Sequence, residues 1–114
     1  MISGKTRVAA VLGWPVEHSR SPAMLNAAFA VDQIDAVLVP IGVPPESLAT
    51  IVGALRAMHA PQVLGASVTL PHKVAVAALC DELSPAARAT GAVNCLQFVD
   101  DRLVGHNTDR KSVV

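Results

Sequence analysis

The sequence predicts an α/β fold: a three-layer, mostly parallel but mixed sheet with helices on both faces. Two observations carry this. Short apolar runs closed by glycine or proline alternate three times with segments whose apolar residues recur at helical spacing, the rhythm of a parallel sheet with right-handed crossovers. The end breaks that rhythm: two strand-like runs flank Asp100-Asp101, a two-residue hairpin that makes the sheet mixed.

Each element has a local cause. Arg7–Leu12 is a compact apolar run stopped by Gly13, hence a buried strand. Ser21-Pro22 predicts a helix start, with Ser21 at the N-cap and Pro22 at the first helical position. Met24, Leu25, Ala28 and Phe29 carry that helix to about Val31. Ala36–Ile41 reads as a second strand. Pro44-Pro45 opens a second helix with Leu48, Ile51, Val52 and Leu55 on one face. Val63–Thr69 is a third strand, and Pro71 starts a third helix reaching about Cys80. Ser84-Pro85 opens a short fourth helix ended by Gly91, and Ala92–Val99 and Arg102–His106 form the hairpin.

Composition bounds the function. The chain has 114 residues, 52% hydrophobic and 16% charged, which suits one packed domain and argues against disorder. The alanine and valine excess fits either Ala-rich helices or a face meant for a partner or a further domain. Nine basic and nine acidic residues cancel, with no basic run, so nucleic acid is not expected as a partner. No apolar stretch is long enough to cross a membrane, and the first residues lack a signal-peptide pattern. Cys80 and Cys95, alone and without metal spacing, read as buried thiols of a reducing cytoplasm. His18, His59, His72 and His106 have no ligand spacing and read as loop and surface residues. No two glycines lie two residues apart, so the Gly-x-Gly-x-x-Gly dinucleotide fingerprint is absent.

Ligands of open α/β sheets sit beyond the carboxyl ends of the strands. The first strand empties into a loop carrying His18, Ser19 and Ser21. The third ends at Thr69 and is followed by Lys73, and the last delivers Asn107, Thr108 and Asp109. A helix N-terminus beside Ser19 and Ser21 favours a carboxylate, although Ser21 also serves simply as a cap. Lys73, in the first turn of the expected helix, sits where the helix dipole disfavours a cation, a conflict of the kind found at functional sites. Asp109 is its candidate carboxylate partner for proton exchange; its alternative role is a turn residue. Asn94, at the start of a strand, is a candidate hydrogen-bonding group or an ordinary turn residue.

Four strings in order resemble the amino-terminal, substrate-binding domain of the shikimate dehydrogenase family. They are Gly13-Trp14-Pro15-Val16-Glu17-His18-Ser19-Arg20-Ser21-Pro22, Val68-Thr69-Leu70-Pro71-His72-Lys73, Gly91-Ala92-Val93-Asn94 and Asn107-Thr108-Asp109. The resemblance assigns 1–109 to that domain and leaves 110–114 as a tail outside the family pattern. It implies that Ser19 and Ser21 hold the shikimate carboxylate and that Thr69, Asn94 and Asp109 bind ring hydroxyls. Lys73 and Asp109 would form the acid/base pair in the reversible, NADP-dependent reduction of 3-dehydroshikimate, a step of aromatic amino-acid biosynthesis. Ser67 stands where family members commonly carry asparagine, so it is a substrate-binding residue that opens the choice between shikimate and quinate. NADP is implied by the resemblance, but the family's nucleotide domain and returning helix do not follow Asp109. The expectation is therefore a chain inactive alone, able to self-associate or to pair with a nucleotide-binding domain. A non-catalytic module for cyclic polyol acids is the alternative.

Overall fold

The computed structural model describes residues 2–58 and 62–108. In chain order the elements are β1 (Arg7–Gly13), α1 (Ser21–Val31), β2 (Ala36–Gly42), a 3₁₀ turn (Pro45–Ser47), α2 (Leu48–Ala57) and β3 (Val63–Val68). A 3₁₀ helix (Ala75–Leu79), β4 (Glu82–Leu83), α3 (Pro85–Thr90), β5 (Cys95–Val99) and β6 (Arg102–His106) follow. The strands form one mixed six-stranded sheet in the order β2-β1-β3-β5-β6-β4. β1 pairs parallel with β2 and β3, while β5 runs antiparallel to both β3 and β6.

One face of the sheet carries the core. Ala10 and Leu12 of β1, Ala66 and Val68 of β3, Leu96 of β5 and Leu103 of β6 pack with Leu48, Val52 and Leu55 of α2, Val76 and Ala87. The helical spacing of the α2 residues presents one apolar face to the sheet, as the sequence predicts. The opposite face is covered in part by α1, which contributes no buried residue of its own.

The register slips between Val8 and Ala9, where β3 carries an extra residue, Leu64. The slip resets the alternation of β3. Val63, Ala66 and Val68 all join the core, and Ser67 is turned to the α1 side.

Ends and turns follow local chemistry. The Ser84 side chain accepts from the Ala87 N–H, and Gly91 ends α3 in the left-handed conformation at φ 71°, which suits glycine. The hairpin turns at Asp100 and Asp101, with Asp100 at φ 53° and Val99 opposite Arg102. Arg56 of α2 reaches across to pair with Asp81 and to donate to the Asp101 carbonyl, both at 2.6 Å.

Four expectations are corrected. Ser21 is not an N-cap: Arg20 holds that place with helical φ and ψ, so the extended geometry a side-chain cap needs is missing. The helix expected from Pro71 to Cys80 is a turn through 71–74 followed by the 3₁₀ helix. Its backbone groups are drawn into tertiary bonds: the Lys73 carbonyl accepts the Val93 N–H at 2.8 Å, and Ala77 bonds back to Val74 in 3₁₀ fashion. Lys73 is therefore not under an α-helix dipole, and that argument for it falls. Cys80 and Cys95 are half-buried rather than buried. The two-residue strand β4, parallel to β6, has no signal in the pattern of 82–83.

Candidate functional site

Because β5 reverses direction twice over, against β3 and against β6, β6 ends at the same sheet edge as β1 and β3, and β5 begins there. Ser19, Ser21, Thr69, Lys73, Asn94, Asn107 and Thr108 therefore gather at the carboxyl edge, with Ser67 just below it on β3. Asp109 lies outside the described residues, as does His59.

The loops of this edge are tied to one another by backbone hydrogen bonds. Thr69 donates to Leu12 at 2.9 Å, Trp14 to Leu70 at 3.1 Å, Val68 to Asn94 at 2.9 Å and Asn94 to His106 at 2.9 Å. Gly13 allows the closest of these approaches. A Cβ placed on it would lie 2.5 Å from the Thr69 methyl, so glycine here is what lets Thr69 sit against β1.

His72 corrects the reading of all histidines as loop or surface groups. It is 1% exposed, and its Nε2–H donates to the Val43 carbonyl at 2.7 Å, pinning the Lys73 turn to the chain after β2. A lone histidine between proline and lysine carries no pattern that would have announced this. Lys73 itself is half-buried, and its ammonium has no ion pair among the described residues.

Ser21 and Ser67 line one cavity of ≈ 330 Å³ with Met24, Leu25 and Leu38. It continues into a groove of ≈ 390 Å³ over the α1 side of the sheet, past Cys95, Gln97 and His106. Ser19 sits at the mouth of α1, its hydroxyl accepting from the Ser21 N–H at 3.4 Å. A larger cavity of ≈ 520 Å³ lies around Thr6, Asn26 and Asp35. Three of its polar side chains are already bonded: Thr6 donates to Asp35 at 2.7 Å, and Asn26 brackets both backbone groups of Leu38.

The two loops at the far end are zipped by side chains. Asn94 Oδ1 accepts from the Thr108 N–H at 3.0 Å and from its hydroxyl at 3.2 Å. Asn107 Nδ2 donates to the Thr90 hydroxyl at 3.0 Å and to the Ala92 carbonyl at 3.3 Å. These partners come from the 90–94 turn and the end of β6, which sequence spacing could not bring together.

Three further titratable groups fit structural roles. Burial pushes the Cys80 and Cys95 thiols up, away from the nucleophilic thiolate. The Leu103 amide, with help from Arg56, holds the Asp81 carboxyl low. No cluster able to hold a metal ion occurs among the described residues, and none of their helices is long and apolar enough to cross a membrane. The first β–α turn follows Gly13 with Trp14 and Pro15, and the Thr69 methyl packs against Gly13.

Comparison with known proteins agrees with this geometry. Residues 11–96 match the family described as the shikimate dehydrogenase substrate binding domain. The chain is 47% identical over 113 residues to the shikimate dehydrogenase (NADP(+)) of Geobacter metallireducens, covering 99% of this chain and 38% of that enzyme. It superposes on the shikimate 5-dehydrogenase of Listeria monocytogenes, solved with shikimate and NAD, with TM-score 0.90 and 38% identity, over 95% of this chain and 36% of that one. A 5-ketofructose reductase of a Gluconobacter strain aligns with TM-score 0.89 and 32% identity, over 96% of this chain and 38% of that one. The chain thus spans little more than a third of the length of these relatives.

Proposed function

The chain belongs to the shikimate dehydrogenase substrate-binding domain family, and from that premise we propose that its carboxyl-edge cleft binds shikimate as the substrate-holding part of an NADP-dependent shikimate dehydrogenase. The observation that supports this best is the gathering of hydroxyl, ammonium and carboxamide groups at one sheet edge, beside a cavity, with the loops bonded to each other.

Each group has a role suited to its chemistry. Ser19 and Ser21, at the mouth of α1, hold the carboxylate with hydroxyl donors. Thr69 and Asn94 bond the ring hydroxyls from the strand ends, and Ser67 meets the ring from the sheet face. Lys73 gives a proton to the ketone oxygen during reduction and takes one from the hydroxyl in the reverse direction, with Asp109 as its partner. A lysine ammonium does this well because it has three donors on a flexible stem and no competing ion pair among the described residues. NADP is not held by any of these residues.

Quinate is a second reading, favoured by Ser67. Its side chain is shorter than an amide and lies in the cavity with Ser21, leaving space for the additional ring hydroxyl. A relative of this fold that reduces 5-ketofructose is consistent with a ring site that accepts other polyhydroxy ketones. Comparing shikimate and quinate affinities before and after Ser67→Asn separates the two readings: a quinate site loses quinate selectively, whereas an unchanged ratio removes Ser67 from the choice.

The principal test is titration of the isotopically labelled chain with shikimate at millimolar concentration. Joint shifts at Ser21, Ser67, Thr69, Lys73 and Asn94 are expected. Shifts confined to Leu48–Ala57, or none, would refute the reading.

A further inference from the structure

The Asn94 carboxamide is oriented by its neighbours. The Thr108 backbone N–H can only donate, so the side-chain atom 3.0 Å from it must be the carbonyl oxygen. The Thr108 hydroxyl, 3.2 Å from the same atom, finds in it an acceptor too. An amide oxygen has two lone pairs, and these two donors engage both. The Asn94 NH2 has no hydrogen-bond partner among the described residues, and the residue is half-buried at the sheet edge.

We propose that Thr108 is a positioning residue that locks Asn94 with only its NH2 available, so that this position of the cleft takes a ligand oxygen solely as a hydrogen-bond acceptor. The inference rests on the shikimate reading and sharpens it. An unrestrained asparagine can turn its amide to meet either a donor or an acceptor. Once its oxygen is occupied, it discriminates between them. The lock also explains why the end of β6 is bound to the 90–94 turn by side chains as well as by the Asn94-to-His106 backbone bond. The clasp keeps the donor in register with the hydroxyls of Ser67 on the neighbouring β3 and of Thr69 just past its end.

The test has one arm without ligand and one with it. In the free protein, amide hydrogen exchange at Thr108 should be slow. It should become fast in Asn94→Ala and stay slow in Asn94→Asp, whose carboxylate still accepts. Equal exchange in the wild type and Asn94→Ala would overturn the proposal. In calorimetric titration with shikimate, Asn94→Asp should bind at least about tenfold more weakly, because it puts an acceptor where a donor is needed. Thr108→Val should bind about threefold to tenfold more weakly, and Thr108→Ser, which keeps the hydroxyl, should restore binding. The Thr108 variants should melt within a few degrees of the wild type, since Thr108 is exposed, and so should Asn94→Asp, which keeps the acceptor. Wild-type affinity in Asn94→Asp or Thr108→Val would overturn the proposal. Slow Thr108 exchange in a wild-type protein that binds no shikimate would instead uphold the lock and refute the shikimate reading.

Discussion

Replacing Gly13 by alanine should couple fold stability to the candidate site through one methyl group. The added Cβ would lie 2.5 Å from Thr69 Cγ2. Carbon atoms pack at about 3.5–4.0 Å, so roughly 1 Å must be absorbed. The backbone cannot easily supply it, because Thr69 is bonded to Leu12 and Trp14 to Leu70 on either side. The Thr69 side chain must rotate or the strands must part, and overpacking of this kind costs ~1–3 kcal/mol. A cost of ~2 kcal/mol moves the urea midpoint by about 1 M for a domain of this size. Rotation of Thr69 also carries its hydroxyl away, so shikimate affinity should fall with stability. Thr69→Ser removes the offending methyl and keeps the hydroxyl. In that background Gly13→Ala should cost less than about 1 kcal/mol, a coupling that a double-mutant cycle in urea measures directly. Gly53→Ala is the control: nothing lies within 4 Å of its Cβ position in α2, so it should stabilise by ~0.5–1 kcal/mol. Equal costs for Gly13→Ala in the two backgrounds would refute the steric argument.

Further predictions concern chemistry and pH. When the chain is joined to a nucleotide-binding domain, Lys73→Ala should lower kcat by about 10²–10⁴ while Ser19→Ala mainly raises KM; steady-state kinetics that reverse this split would exchange their roles. Asp81 is held below its ordinary 3.8 by the Leu103 amide and Arg56, so its stabilising effect is present above that value and is lost as pH falls through the lowered folded value. The gap in urea midpoint between wild type and Asp81→Asn should accordingly close in acid; a gap constant from neutral pH to about pH 2 would contradict this. Cys80 and Cys95, with thiols pushed up by burial, should react with iodoacetamide more slowly than a free thiol at pH 8; burst alkylation of either would show an activated thiolate that the fold does not explain.

Elements whose causes are local can be read from the residues alone. The Ser84 cap, the Gly91 stop, the Asp100-Asp101 hairpin and the apolar face of α2 each follow from residues within a few positions of one another, and each is present. The ordered strings also pointed to the family, because their residue types and succession survive without knowledge of distance. Other features depend on partners far along the chain. The bulge at Leu64 turns Ser67 to the α1 side, and no periodicity within β3 reveals the slip against β1. The segment after Pro71 gives up an α-helix because Val93 takes the Lys73 carbonyl. His72 is buried because Val43, 29 residues away, offers it an acceptor. Asn94 becomes a directed donor only when Thr108, 14 residues on, occupies its oxygen. A sequence records which groups can form hydrogen bonds; which partner each one finds is settled by chain reversal and packing, where competing partners are brought within about 3 Å and the best-satisfied set is kept.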